Sequence, residues 1–185
     1  MTTRNVCKEA SEFIKLSQST LWMTGLPCSG KTTLALRLKE ELNKLGFRAV
    51  HLDADIIRQD LNADLGFSLK DRRENIRRIA CVAKLFNENG NLVIASFVCP
   101  TDELRLLAKE IIPNFRLVFV KCGLDTCQKR DVKGMYKKAR AGQIKEFTGI
   151  SSPFDEPKEA DMIIDTESNN IDDCVKEILD KFKNH

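Results

Sequence analysis

The stretch from Leu21 to Leu38, LWMTGLPCSGKTTLALRL, restricts the folds open to this chain more than any other. An apolar, strand-like run, Leu21-Trp22-Met23-Thr24, enters a loop whose Gly25 and Gly30 bracket four residues. Lys31, Thr32 and Thr33 then open a segment with helical apolar spacing at Leu34, Leu38 and Leu42. This is the G-x-x-x-x-G-K-[ST] pattern, with the strand before it and the helix after it that a phosphate loop requires. Glycines allow backbone N–H groups to turn inward around a phosphate with no Cβ in the way. Residues Gly25, Cys28, Ser29, Gly30 and Thr33 would form that cradle, and the helix N-terminus adds partial positive charge. Lys31 would reach the β- and γ-phosphates, and the Thr32 hydroxyl would ligate Mg²⁺. The expected ligand is a nucleoside triphosphate.

The rest of the chain alternates strand and helix patterns. Apolar runs at Ala49–Leu52, Leu92–Ala95, Phe115–Val120 and Met162–Ile164 read as four more strands, unbroken enough for a parallel sheet covered on both faces. Helical spacing falls at 31–45, 69–89, 101–112, 125–130 and 171–182, with Gly46 and Gly90 as stops. The prediction is one α/β domain over 1–185, a doubly wound five-stranded parallel sheet with helices on both faces. Residues 1–18 read as an amphipathic N-terminal helix or arm, and about 131–150 as a basic lid and substrate loop.

Composition excludes several function classes. A net charge of +3 is too small to argue for a nucleic-acid surface, and no apolar run approaches the length of a membrane span. The seven cysteines are odd in number and form no C-x-x-C pair, so neither a zinc site nor a disulfide framework is indicated. Reduced thiols in the cytoplasm are the expectation.

A phosphate loop alone does not separate a kinase from a GTPase or a motor. No N-K-x-D-like base-reading motif follows Val120, which argues against a GTPase. Asp53 and Asp55 fall at the carboxyl end of the second strand, where ligands bind in open α/β sheets. Such a pair could hold Mg²⁺ and accept a proton from an attacking hydroxyl, and a helix-capping aspartate is the plainer alternative for either one. Arg58 lies one helical turn beyond Asp55. Arg72, Arg73, Arg77 and Arg78, with Asn75 among them, crowd the start of the long helix. Guanidinium forks suit phosphate or sulfate oxygens, although Arg73 and Arg78 read better as a solvated face. The segment Asp131–Gly142, with four basic residues and two glycines, sits where small-molecule kinases carry a closing lid. A charged exposed helix would look much the same. Cys28, beside Lys31 and a helix N-terminus, is expected either to carry a lowered pKa or to be an inert filler of the loop.

These residues also carry a family likeness. From about Ser19 to Leu179 the chain resembles adenylylsulfate kinase. The matching pieces are Gly25-Leu26 through Lys31-Thr32-Thr33, Leu52-Asp53-Ala54-Asp55-Ile56-Ile57-Arg58, and Leu65-Gly66-Phe67-Ser68 with Asp71-Arg72 and Glu74-Asn75-Ile76-Arg77-Arg78. More specific still are Lys133-Gly134-Met135-Tyr136-Lys137-Lys138-Ala139-Arg140 and Phe147-Thr148-Gly149-Ile150 with Ser152-Pro153. The resemblance implies a phosphate-loop kinase fold. It also implies transfer of the γ-phosphoryl of MgATP to the ribose 3′-hydroxyl of adenosine 5′-phosphosulfate, in sulfate activation. By position it makes Asp55 the base and assigns catalysis to Asp55 and Lys31. Metal binding falls to Thr32 and Asp53, and substrate binding to Arg58, Phe67, Arg72, Asn75, Lys137 and Phe147. Phe67 and Phe147 would sandwich the substrate adenine, while Lys137, Lys138 and Arg140 would belong to the lid. A homodimer is the implied assembly.

Three positions depart from the family pattern. Ala54 replaces a glycine, which implies φ below zero at that turn. Cys99 stands where some members carry a phosphorylated serine, which excludes a phosphoserine there. The loop reads Leu26-Pro27-Cys28-Ser29. Two alternatives stay open: a related kinase acting on another nucleotide-linked acceptor such as cytidine diphosphoramidate, and a catalytically idle nucleotide-binding partner of another enzyme.

Overall fold

A computed structural model describes residues 16–183. The N-terminal helix expected over 1–18 falls almost wholly outside the described residues, as does Cys7. Strands β1 (Thr20–Thr24), β2 (Ala49–Asp53), β3 (Leu92–Ser96), β4 (Phe115–Lys121) and β5 (Met162–Asp165) form one sheet in the order β2-β3-β1-β4-β5. Every pairing is parallel. Helices α1 (Lys31–Lys44), α2 (Ala54–Gln59), α3 (Leu69–Glu88), α4 (Asp102–Ile111), α5 (Leu124–Lys129), α6 (Met135–Arg140) and α7 (Ile171–Lys183) connect and follow the strands.

The all-apolar strands explain why the sheet is covered twice. Leu21, Met23, Leu92, Ile94, Val118, Val120, Met162 and Ile164 share one core with Leu34, Leu38 and Leu42 of α1 and Val175, Ile178 and Phe182 of α7. Their alternate neighbours Trp22, Val93, Ala95 and Leu117 point the other way, into a second core with Ile76, Ile79 and Ala83 of α3 and Leu104 and Ala108 of α4. Period-two alternation within an unbroken apolar run thus feeds two layers at once. Each buried Leu or Ile contributes about 1.5–3 kcal/mol relative to exposure.

Local signals set the helix ends. Gly46, at φ 89°, closes α1: its N–H bonds to Asn43 O, and Phe47 N–H bonds to Leu42 O. That is the paired 5→2 and 6→1 closure that needs a left-handed residue, and it carries Phe47 into the core. Ser68 and Thr101 cap α3 and α4 through their hydroxyls.

Position in the sheet decides where chemistry can occur. β1 is central, and the chain builds outward from it on one side to β3 and β2 and on the other to β4 and β5. Loops leaving the carboxyl ends of β1 and its neighbours therefore diverge and leave a crevice above the sheet. The phosphate loop, Asp53 and the segment after Ser96 all open there.

Candidate active site

The crevice is a cavity of about 730 Å³. Lys31, Thr32 and Thr33 lie at one end, Asp53 and Asp55 in the middle, and Phe67, Arg72, Asn75 and Phe147 at the other.

The phosphate loop is held from beneath. A Cβ on Gly25 would lie 2.5 Å from Val120 O, so only glycine fits against the neighbouring strand. Gly30 adopts φ 94°, in the left-handed region, as it passes into α1. Ser29 is fully buried, and its carbonyl accepts a 2.8 Å hydrogen bond from Thr166 Oγ1 at the end of β5. Arg130 in turn donates to Thr166 O at 2.7 Å. Lys31 is 8% exposed and folds over the loop, its Nζ donating to Gly25 O at 3.0 Å and Leu26 O at 2.7 Å. Burial pushes its pKa down to about 8. Those carbonyls hold the ammonium where an incoming phosphate would compete for it.

Cys28 departs from one of its two expectations. It lies in the left-handed region at φ 62°, with Sγ 3.9 Å from Asp131 Oδ1. Burial pushes its thiol pKa up, and the Asp131 carboxylate adds to the rise; Lys31 opposes both without reversing them. The thiol is therefore not activated by the loop. Desolvation and a facing carboxylate outweigh the nearby cation. Cys99 is buried, and desolvation pushes it up to about 12.

Asp53 does two things at once. Its Oδ1 accepts the Asp55 N–H at 2.9 Å and so caps α2, while Oδ2 accepts the Thr32 hydroxyl at 2.8 Å. Ser96 Oγ donates to the same Oδ2 at 3.3 Å, and His51 Nε2 lies 2.8 Å from that hydroxyl. Burial alone would raise the Asp53 pKa, but these hydrogen bonds, led by Thr32, outweigh it and hold the carboxyl below its usual range. Ala54 starts α2 and is not among the described non-glycine residues with positive φ. The methyl is accommodated because the turn has become the first helical residue. The Thr32 hydroxyl and Asp53 carboxylate are hard oxygen donors, which suits Mg²⁺. Among the described residues no group of three or more His, Cys, Asp or Glu could hold a metal ion. A Mg²⁺ that keeps phosphate and water ligands needs no such cage.

The acceptor end is built from separated segments. Arg58 lies over the Phe67 ring, 4.4 Å from its centroid, and donates to Leu65 O and Gly66 O at 3.3 and 3.2 Å. Arg72 spans the cavity mouth, donating to Phe67 O at 2.8 Å, Thr148 Oγ1 at 3.2 Å and Glu146 O. One guanidinium thus ties the Phe67 turn to the Phe147 segment. Phe67 is half exposed, whereas Phe147 is buried edge-on against Tyr136, ring centroids 5.0 Å apart. Asn75 is buried and accepts a 2.9 Å bond from Asn62 Nδ2. The other arginines of α3 are spent elsewhere: Arg73 pairs with Glu103, Arg77 with Glu74, and Arg78 with Asp64 and Glu74.

Comparison with known proteins agrees with this arrangement. The family model for adenylylsulphate kinase matches residues 17–165. An adenylyl-sulfate kinase of Bacillus velezensis is 47% identical over 172 residues, covering 92% of this chain and 87% of the relative. One from Prochlorococcus marinus is 49% identical over 164 residues, covering 88% and 82%. The chain belongs to the adenylylsulphate kinase family. Among solved structures, the Mycobacterium tuberculosis APS kinase in complex with AMPPNP and APS superposes with a TM-score of 0.87 at 41% identity, covering 89% of this chain and 97% of that one.

Within that family frame, one lid residue stands differently from expectation, and another reaches the site without having been singled out. Lys137 is exposed on α6 and does not line the cavity. Lys133, four residues earlier, does line it, and its Nζ donates to Asp55 Oδ2 at 2.7 Å. The motif containing Lys133 was visible in the sequence, but no spacing rule singles it out from the other basic residues of the segment. The lid is also tied to the phosphate loop, because Tyr136 Oη donates to Pro27 O at 2.9 Å. That contact joins residues 109 positions apart, and nothing local in the sequence signals it.

Proposed function

We propose that this chain transfers the γ-phosphoryl group of ATP to the ribose 3′-hydroxyl of adenosine 5′-phosphosulfate, giving ADP and 3′-phosphoadenosine 5′-phosphosulfate. The observation that carries the reading is the shared cavity. One volume joins a phosphate loop to an arginine and aromatic acceptor end, with Asp55 between them. Phosphoryl transfer demands mostly positioning and charge neutralisation, and such a cavity supplies both.

In this reading Lys31 leaves its loop carbonyls for the β- and γ-phosphates, and the loop N–H groups hold the remaining oxygens. Thr32 and Asp53 would hold Mg²⁺, which neutralises phosphate charge when bound. The 3′-oxygen forms the new bond to the γ-phosphorus as the β–γ bridging P–O bond breaks and ADP departs. Asp55 orients the hydroxyl and takes its proton, and the Lys133 ammonium, already beside it, holds that carboxylate in place. Phe67 and Phe147 would flank the adenine, and Arg58, Arg72 and Asn75 would meet the phosphosulfate and ribose.

Among the described residues no helix is long and apolar enough to cross a membrane, and Cys28, Cys81, Cys99, Cys122, Cys127 and Cys174 are free thiols. A cytoplasmic enzyme fits both facts. A homodimer is the assembly that the family resemblance implies, and light scattering on the purified chain reads it.

The deciding assay follows ADP release from MgATP with adenosine 5′-phosphosulfate and, in parallel, with cytidine diphosphoramidate. Fast turnover with the adenylyl compound alone is expected. Turnover with the cytidine compound alone would leave the donor half of the site standing and overturn the acceptor assignment.

A further inference from the structure

Asn62 lies in the turn after α2, wholly buried, and outside the lining of the cavity. Its Nδ2 donates to Asn75 Oδ1 at 2.9 Å. Its own Oδ1 is buried and has no hydrogen-bond partner. An enclosed amide left half-satisfied is a liability, because the carbonyl gives up water and receives nothing in return. For stability alone, an apolar side chain of similar volume would serve better at this point. What Asn62 supplies instead is one donor, aimed at one atom of a residue that lines the cavity.

That donor has a chemical consequence. An asparagine amide carries an acceptor end and a donor end, and its hydrogen-bond partners decide which way round it sits. With Oδ1 of Asn75 engaged by Asn62, the Nδ2 end is the one left over. Nδ2 has no partner among the described residues and is not among the buried unpartnered atoms, and Asn75 lines the cavity. We infer that Asn62 is a positioning residue for substrate selection: it locks the Asn75 amide so that the NH₂ group faces the acceptor subsite. The cavity then presents two N–H donors there and withholds a carbonyl oxygen. A site fixed in this way favours an acceptor nucleotide with oxyanion or hydroxyl oxygens at that point. A freely turning amide would spend part of its time showing an oxygen to an anion. The inference rests on the acceptor reading given under the proposed function.

The test is Asn62→Leu, which removes the donor, the orphaned carbonyl and little volume. The expected result is a split. The KM for adenosine 5′-phosphosulfate rises about tenfold, as loss of one oriented hydrogen bond allows, while the KM for ATP stays put. The melting temperature is unchanged or higher. A purely structural role would lower the melting temperature and move both KM values together. In an Asn75→Ala background, Asn62→Leu should add nothing further, since the effect passes through Asn75. A wild-type KM for the acceptor in Asn62→Leu, or full additivity with Asn75→Ala, overturns the inference.

Should Asn62→Leu fail to fold, Asn75→Asp decides. It keeps an acceptor for Asn62 but turns a carboxylate oxygen to the subsite, so acceptor binding must fall below that of Asn75→Ala. Equal or better binding overturns the inference. Failure of the substrate reading itself is separable. If wild-type protein ignores adenosine 5′-phosphosulfate, the Asn75 side-chain ¹H–¹⁵N signal still reports whether its NH₂ is unbonded in wild type, as expected, or engaged, which would reverse the assignment.

Discussion

The phosphate loop and the acceptor end meet at Asp55 but are held by different means. The loop is a single stretch fixed by backbone: Gly25 against Val120 O, Ser29 O under Thr166, and Lys31 clasped by the carbonyls it crosses. The acceptor end is an assembly of α2, the turn at 60–68, α3 and the lid, joined by long-range side-chain contacts. Arg72 reaches 76 residues to Thr148, and Lys133 reaches 78 back to Asp55. Lys133 and Asp55 are mostly solvent-exposed, so their pair adds little stability. The donor half is preorganised around a group common to all triphosphates. The acceptor half is latched by a few contacts that can open for a larger, more particular ligand.

The largest expected break in that comparison is at Lys31. Alanine there should lower turnover by about three orders of magnitude or more, the scale on which charge stabilisation acts in phosphoryl transfer. The fold should survive. The stranded loop carbonyls cost about 1–3 kcal/mol, less than a domain's usual stability. Steady-state kinetics with circular dichroism checks both, and a variant keeping over a tenth of wild-type turnover removes Lys31 from the mechanism. Arg72→Lys comes next. A lysine cannot span Phe67 O, Glu146 O and Thr148 Oγ1 together. The acceptor KM should rise about 100-fold while the ATP KM moves less than about twofold. Equal movement of both constants would show that the two halves share one framework.

The same contrast explains what was legible in the sequence. The strands, α1 and the loop were readable because their signals are local: apolar runs, glycine stops and a spaced motif. β1 to β5 therefore appear in the structure within a residue or so of expectation. Asp53 was visible as a carboxylate at a strand end; the capping role weighed for it there falls to Oδ1, while Oδ2 accepts the Thr32 hydroxyl, a contact that nothing local in the sequence signals. At the acceptor end the arginines were legible as oxyanion binders, but the substrate and the roles of Phe67 and Phe147 came only through family likeness. No periodicity predicts that Arg72 braces the lid, that Lys133 rather than Lys137 faces the cavity, or that Asn62 supports Asn75. For Cys28 the sequence left two readings open because helix N-terminus and lysine are sequence neighbours, whereas Asp131 and the covering lid residues are neighbours only in space.

A smaller effect sharpens the donor side. Lys31, held near pKa 8 by burial, must be protonated to meet a triphosphate, and bound phosphate will raise that value. Binding therefore takes up a proton, and affinity for AMPPNP should weaken as pH rises through 8, by about tenfold between pH 8 and 9.5. The free protein behaves in the opposite sense. Its Lys31 binds a proton less readily than in the unfolded chain, so that site's contribution to stability grows between about pH 8 and 10.5. Calorimetric titrations at pH 7, 8 and 9.5, with Lys31→Met as the control, separate this site from the lid lysines. A pH dependence that persists in Lys31→Met would assign it to the lid instead.

The smallest expected effect is at Cys28, where the two halves touch. Its thiol lies against lid residues and faces Asp131, and both burial and that carboxylate favour the protonated form. Alkylation by iodoacetamide, mapped by mass spectrometry, should therefore be slow, no faster than for an unperturbed thiol, and much the same with and without MgATP. Cys28→Ser should retain turnover within about threefold, since the loop binds phosphate through its N–H groups rather than this side chain. Fast labelling that nucleotide suppresses would reverse the balance of forces drawn here. Lys31 and the helix N-terminus would then outweigh desolvation and Asp131, and the loop would have to be open to solvent before ATP arrives.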